Sequence, residues 1–193
     1  MDRVSVSTVT PVYRGEDYLE ALVAELDKVR AAWEGAGPLR LVEAIFVDDS
    51  AVDGSPRVLA DLEQRHSWVK VLTLSRNFGQ HPATIAGILH TSGNWVVTLD
   101  EDLQHPPSEI AGLLRQAVEN RADLVYAKPK GRVHAFGYRD LSSRAFKRLL
   151  VFLTGNPAIA HFNSFRVVRG AVARAAASVC GHETYLDVAF SWF

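Results

Sequence analysis

The sequence predicts an α/β domain in which a mostly parallel sheet is covered by helices on both faces. Strand-like and helix-like segments take turns along the first half of the chain. The strand segments are runs of Val, Ile and Leu, as strands buried on both faces require. Polar residues gather just past each strand end, where open α/β sheets bind ligands.

Val4 to Thr10 is β-branched and reads as the first strand, ended by Pro11. Leu19, Leu22, Val23, Leu26 and Val29 recur at a helical period and place a helix over Tyr18 to Trp33, broken by Gly35 to Pro38. Leu41 to Val47 is the second strand and ends in Asp48 and Asp49; a helix follows over Ser55 to Arg65, with Asp53-Gly-Ser55 supplying turn and N-cap chemistry. Val69 to Leu74 is the third strand, Pro82 to His90 a helix, and Trp95 to Leu99 the fourth strand. Ser108 is the expected N-cap of a helix reaching Glu119, and Asp123 to Tyr126 is a short strand. Further on, the pattern predicts a loop over Gly131 to Phe136, a helix over Tyr138 to Leu153, a strand over Phe165 to Arg169, and helices over Ala171 to Val179 and Tyr185 to Phe193.

Bulk properties remove several function classes. With 193 residues the chain is long enough for one sizeable core, and residues 1–193 are read as a single domain. Hydrophobic content of 48% and charged content of 22% are those of a soluble globular protein. A net charge of −1 argues against nucleic acid as a partner. Cys180 is the lone cysteine, so a reducing, cytoplasmic setting is expected, and the start of the chain has no signal-peptide pattern. No apolar run approaches the roughly 20 residues a membrane span needs. The chain closes in the apolar stretch Val188 to Phe193, which suggests a piece of a longer protein and a surface able to pair with a second copy.

The most informative stretch is Leu99-Asp-Glu-Asp-Leu-Gln-His-Pro106. In an extended backbone Asp100 and Asp102 face one way and Glu101 the other. Two such carboxylates repel unless a cation lies between them, and hard ions such as Mg²⁺ or Mn²⁺ bridge carboxylates to substrate phosphates. A solvated acidic turn before a helix is the alternative for this triplet by itself.

Four ordered segments, Thr10-Pro-Val-Tyr-Arg-Gly-Glu16, Val47-Asp-Asp-Ser-Ala-Val-Asp-Gly-Ser55, Leu74-Ser-Arg-Asn-Phe-Gly-Gln80 and the acidic run, resemble those of family 2 glycosyltransferases. More narrowly, they resemble the polyprenyl-phosphate (dolichol-phosphate-mannose-synthase-like) branch. The resemblance implies the GT-A fold (Rossmann-like), a UDP- or GDP-sugar donor and a divalent metal, Mg²⁺ or Mn²⁺. It puts Pro11, Tyr13, Glu16, Asp48 and Asp49 around the nucleoside, with Asp49 favoured over Asp48. Arg76 is expected at phosphate or beside Asp100, and Asn77 and Gln80 on the donor side, with Gly79 serving the turn. Asp102 is expected as metal ligand, Asp100 near the ribose or the metal, Gln104 near the diphosphate or sugar, and His105 as a loop residue. Asn163 and Ser164 stand where the family often carries an acidic residue, which weakens the case for a catalytic carboxylate there. Arg166 retains a phosphate-binding role, and Asp187 or Glu183 is the candidate base.

The expected reaction is inverting transfer to a polyprenyl phosphate, whose anionic oxygen needs little base assistance. A saccharide hydroxyl would need a carboxylate such as Asp187. Arg139, Arg144, Lys147 and Arg148 on the Tyr138 to Leu153 helix suit an anionic membrane surface, placing the protein at the inner face of the membrane with membrane helices to follow. Packing of that helix on the sheet is the simpler use of its apolar side. A soluble transferase acting on a saccharide and a non-catalytic nucleotide-sugar-binding module are the rival readings. A dinucleotide oxidoreductase is disfavoured, because Pro11-Val-Tyr13 stands where G-x-G-x-x-G would follow the first strand, and no Walker A motif supports an ATPase.

Overall fold

The computed structural model describes residues 3–35, 37–127, 163–181, 186–190 and 192. These form strands β1 (Val4–Val12), β2 (Leu39–Asp48), β3 (Val69–Thr73), β4 (Trp95–Thr98), β5 (Leu124–Tyr126) and β6 (Arg166–Arg169). Helices α1 (Leu19–Glu34), α2 (Ser55–Arg65), α3 (Gln80–Leu89), α4 (Ile110–Glu119), α5 (Gly170–Val179) and α6 (Leu186–Phe190) alternate with or follow them. The strands join one sheet in the order β3-β2-β1-β4-β6-β5. β3, β2, β1 and β4 run parallel, and β6 is antiparallel to both its neighbours, β4 and β5. The sheet is thus mostly parallel, as expected, with one inserted strand running the other way.

Helices cover both faces. On one side Leu19, Leu22 and Leu26 of α1, Leu59 and Leu62 of α2 and Leu113 and Leu114 of α4 pack on Val6, Phe46, Val97 and Val167. On the other, Ile85 and Ile88 of α3, Ala173 and Ala176 of α5 and Leu186 and Phe190 of α6 pack on Val9, Ile45, Val47, Val96 and Val168. Strand residues alternate between the two layers. A register shift between Val6 and Ser7 admits one extra residue in β2, so Leu41 and Phe46 reach the same layer despite their odd separation. α3 lies close on β1 and β2 because Gly87 carries no side chain: a Cβ there would sit 2.4 Å from Val9 Cγ1.

Several boundaries depart from expectation for identifiable reasons. β1 does not stop at Pro11 but continues to Val12. The Val9 carbonyl accepts from Leu99 N, so position 11 faces the same neighbour, β4, whose pairing with β1 has ended at Val9, and no ladder amide is missed. Ser108 caps nothing; it lies within a 3-10 turn, Pro107–Glu109, that leads into α4. Leu186, Ala189 and Phe190 are buried in the chain's own core, while Trp192 is exposed. The predicted 131–136 loop, the 138–153 helix with its basic residues, and Glu183 lie outside the described residues.

At the end of the sheet away from the strand termini that bear the acidic loops, Glu43 is nearly fully buried. Its Oε1 accepts from Ser7 Oγ (2.7 Å), Ser92 N (2.6 Å) and Ser92 Oγ (2.7 Å), and its Oε2 accepts from Lys70 Nζ. Burial alone would raise this carboxyl, but the Lys70 ammonium, the Ser7 hydroxyl and the Ser92 groups outweigh it and hold it at about 2. A depressed carboxylate contributes stability above its unfolded value and loses it as pH falls through the folded value. Glu43→Gln is therefore expected to destabilise the protein by roughly 2–4 kcal/mol at pH 7, with a deficit that narrows between about pH 4.5 and pH 2. Urea unfolding of both proteins at pH 7 and pH 3 checks this; a deficit independent of pH would contradict it.

Candidate active site

The carboxyl ends of β1 and β4, the start of α3, and the segment entering β6 enclose a cleft of about 220 Å³. Pro11, Gln80, Asp100, Ser164, Arg166 and Asp187 are among the residues lining it. Asp100 is held from two sides: Gln80 Nε2 donates to Oδ1 at 2.6 Å, and Ser164 Oγ donates to Oδ2. Burial raises the Asp100 carboxyl above its ordinary value and the neighbouring Asp102 charge adds to this, while Ser164, His105 and Arg166 oppose it. β6 makes this possible, because its pairing with β4 sets Ser164 beside the end of that strand, where Thr98 Oγ1 also donates to the Ser164 carbonyl.

Deeper in the cleft, Arg166 and Asp187 form an ion pair with both side chains 4% exposed. Asp187 Oδ1 accepts from Arg166 Nη1 and from Tyr126 Oη (2.8 Å), and the guanidinium lies 5.2 Å from the Phe190 ring centre. Arg166 Nε is buried without a hydrogen-bond partner. Burial and the Asp187 charge push the Tyr126 phenol above its ordinary value. Burial lowers the His81 imidazole, the Asp187 charge works against that, and the Arg166 charge lowers it further.

The other carboxylates of the rim are engaged with backbone. Glu101 accepts from Tyr13 N through Oε2 (3.0 Å) and from Arg14 N through Oε1 (3.2 Å). Ser55 Oγ accepts from Gly15 N at 3.0 Å, and Asp53 Oδ2 from Glu16 N at 3.2 Å. Glu16 Oε2 in turn accepts from Gly54 N at 2.8 Å. Asp48 Oδ1 accepts from Ala51 N (2.8 Å), and the two oxygens of Asp49 accept from Phe78 N and Gly79 N (both 2.8 Å). Gly79, at φ +92°, holds a conformation that other residues rarely adopt, in the turn where Asp49 captures its amide.

The comparisons with known proteins bear on this arrangement. The family model for Glycosyl transferase family 2 matches residues 7–178. The chain belongs to glycosyl transferase family 2. It is 38% identical over 151 residues to an undecaprenyl-phosphate 4-deoxy-4-formamido-L-arabinose transferase of Klebsiella pneumoniae, covering 78% of this chain and 44% of the relative. To the enzyme of that name from Edwardsiella ictaluri it is 34% identical over 184 residues, covering 95% of this chain and 54% of the relative. The chain thus spans about half the length of these curated relatives. Among solved structures it resembles S. aureus TarS 1-349 in complex with UDP (TM-score 0.66, 18% identity, 97% of this chain and 54% of that one). It also resembles the mannosyltransferase PcManGT from Pyrobaculum calidifontis in complex with GDP-Man and Mn²⁺ (TM-score 0.65, 14% identity, 97% and 50%). These likenesses establish the GT-A fold.

Within this family 2 domain the structure gathers Pro11, Gln80, Asp100, Arg166 and Asp187 in one cleft, with Asp102 and Gln104 in the turn beside it. Arg76 is not paired with Asp100, whose oxygens go to Gln80 and Ser164; it stacks on exposed Phe78 at 4.6 Å. Exposed Tyr13 stands at the mouth of β1 with the Arg14 guanidinium 5.7 Å from its ring centre. His105 stacks on Phe165 at 5.1 Å, in keeping with a loop role. Sequence reasoning passed over His81, Tyr126 and Glu101. Each has a local signal: His81 opens α3 beside Gln80, Tyr126 closes β5 at the same rim, and Glu101 is the acidic residue pointing away from its neighbours.

The donor set fits a particular kind of cation site. Among the described residues no group of three or more His, Cys, Asp or Glu side chains is placed to hold a metal ion. Asp100 and Asp102 instead form a like-charged pair at the cleft edge, with Asp102 Oδ1 accepting from Gln104 N at 3.1 Å. Mg²⁺ is commonly held by one or two carboxylates with phosphate and water completing its shell. The residues present fit a divalent ion that arrives with a diphosphate.

Proposed function

We propose that this chain is the donor-binding and catalytic portion of a metal-dependent, inverting glycosyltransferase that moves a sugar from a UDP- or GDP-sugar to a polyprenyl phosphate. The observation that carries the choice of acceptor is the state of the cleft carboxylates. Asp187 is tied to Arg166 and Tyr126, and both oxygens of Asp100 are engaged, so neither offers an unencumbered base for a neutral hydroxyl. An acceptor phosphate brings its own nucleophilic charge. Buried Arg166, with its unpartnered Nε, suits an anionic oxygen. The names of the curated relatives point the same way.

In this reading Pro11, Tyr13, Asp48 and Asp49 border the nucleoside. Asp49 would use the lone pairs that Phe78 N and Gly79 N leave, and Glu16 acts by holding Gly54. Gln80, Asp100 and Gln104 face the sugar and diphosphate, and Arg76 stands at the donor rim. Asp102, with Asp100, would hold Mg²⁺ or Mn²⁺, which when bound supplies Lewis-acid stabilisation of the departing diphosphate. Asp187 positions Arg166. The protein works at the cytoplasmic face of a membrane, where its lipid-linked acceptor resides; no described helix is itself long and apolar enough to cross one.

The test is sugar transfer to a short-chain polyprenyl phosphate against transfer to a free saccharide, each with UDP- and GDP-sugars and Mg²⁺ or Mn²⁺. Transfer to the lipid phosphate is expected to exceed transfer to the saccharide by about 10²-fold or more, the scale of general-base assistance. Transfer to the saccharide alone would reverse the acceptor assignment, and donor binding without any transfer would favour the non-catalytic module.

A further inference from the structure

Resting on that donor reading, we infer that Glu101 is a positioning residue that couples divalent-cation binding to nucleotide binding. It does so by fastening the turn that carries Asp100 and Asp102 to the loop that carries Pro11, Tyr13 and Glu16.

The loop after β1 presents consecutive amides, Tyr13, Arg14, Gly15 and Glu16, that no strand or helix satisfies, and side chains from elsewhere accept from all of them. The acceptors come from different places. Ser55 and Asp53, both from the β2–α2 region, hold Gly15 and Glu16. Among the described residues the Tyr13 and Arg14 amides have Glu101 as their acceptor, and Glu101 sits between the two carboxylates proposed to face the cation. The approach is close, since a Cβ on Gly15 would lie 2.6 Å from Glu101 Oε2. The turn itself is tightly specified: Leu103 is held at φ 57°, and Gln104 N is tied back to Asp102.

A carboxylate bridging two amides transmits displacement in both directions. Drawing Asp100 and Asp102 together around a cation orders the turn, hence Glu101, hence the Tyr13–Arg14 peptide against which the nucleoside lies. Each ligand thereby meets a loop pair the other has already ordered, which is positive coupling, and thermodynamic linkage makes it reciprocal. The residue between the paired aspartates thus has a task that needs a carboxylate. It does not touch either ligand.

Calorimetric titration of UDP and of GDP, with and without saturating Mg²⁺, on the unaltered chain, Glu101→Ala and Glu101→Gln tests this, with thermal unfolding to confirm that each variant folds. The readout is the factor by which Mg²⁺ tightens nucleotide binding. That factor is expected to fall about fivefold or more in Glu101→Ala, within the usual range of site-to-site coupling, and to be partly kept in Glu101→Gln, which retains an acceptor oxygen. If Glu101→Ala fails to fold, Glu101→Gln carries the same comparison, with a reduced factor still expected. Affinity reduced equally with and without Mg²⁺ would make Glu101 merely structural and overturn the inference. So would an unchanged factor in both variants, or nucleotide binding to the unaltered chain that Mg²⁺ does not tighten. None of those touches the assignment of the nucleotide site, whereas failure of the unaltered chain to bind either nucleotide overturns both.

Discussion

Asp102→Ala is expected to abolish the metal-dependent part of nucleotide binding and to lower glycosyl transfer by roughly 10³-fold. Loss of several kcal/mol of charge stabilisation at the departing diphosphate corresponds to that factor. The fold should be unaffected, because among the described residues Asp102 accepts one hydrogen bond, from Gln104 N in an exposed turn. Calorimetry with UDP and GDP in the presence and absence of Mn²⁺, alongside transfer assays, measures both effects. Metal-dependent binding that survives the substitution would remove Asp102 from the cation site. Asp100→Ala is a less clean probe, because it would also strip acceptors from Gln80 and Ser164.

The second large effect concerns stability. Asp187→Ala leaves the buried Arg166 guanidinium without its counter-charge, and removes the acceptor of the Tyr126 hydroxyl. Breaking a buried pair from one side typically costs about 3–5 kcal/mol. For a chain of this size that lowers the unfolding midpoint by roughly 10 °C, at about 2–4 °C per kcal/mol. Replacing both members with apolar residues, Arg166→Met with Asp187→Leu, should recover most of the loss, since what is costly is the unpaired charge. Thermal and urea unfolding of the single and double variants decide the matter. A loss below about 1 kcal/mol in Asp187→Ala would mean that water already reaches the pair.

Much of this was legible in the chain. Periodicity placed α2 at Ser55–Arg65, as found, and the apolar runs located every strand of the parallel portion to within a few residues. The cluster of polar loops at one rim followed from the strand order rules alone. What escaped was pairing across long separations. Arg166 and Asp187 were each singled out, yet nothing in their spacing says that they neutralise one another, because that depends on where α6 packs. The rim carboxylates escaped for a different reason. Composition shows which acceptors a loop contains, but not which amides the fold leaves without partners. Asp49 and Glu16 look wholly free for a ligand until Phe78 N, Gly79 N and Gly54 N are seen to share them, and Glu101 shows no role until Tyr13 N and Arg14 N are seen to need it.

The placement of β6 between β4 and β5 also dictates the order in which the molecule can be built. Among the described strands β5 pairs with β6 alone, so Leu124–Tyr126 leaves the ribosome well before that partner, Arg166–Arg169, has been synthesised. β3, β2 and β1 pair through consecutive β–α units, whereas β4 must reach back to β1, with Val6 opposite Trp95, before β6 can join it. Ser164, Arg166, Asp187 and the Tyr126 hydroxyl meet only when the last strand threads into place, a long-range closure of the kind that slows folding. A nascent chain therefore acquires the loops after β1, β2 and β4 first and the Ser164, Arg166 and Asp187 wall of the cleft last, once synthesis has passed α6.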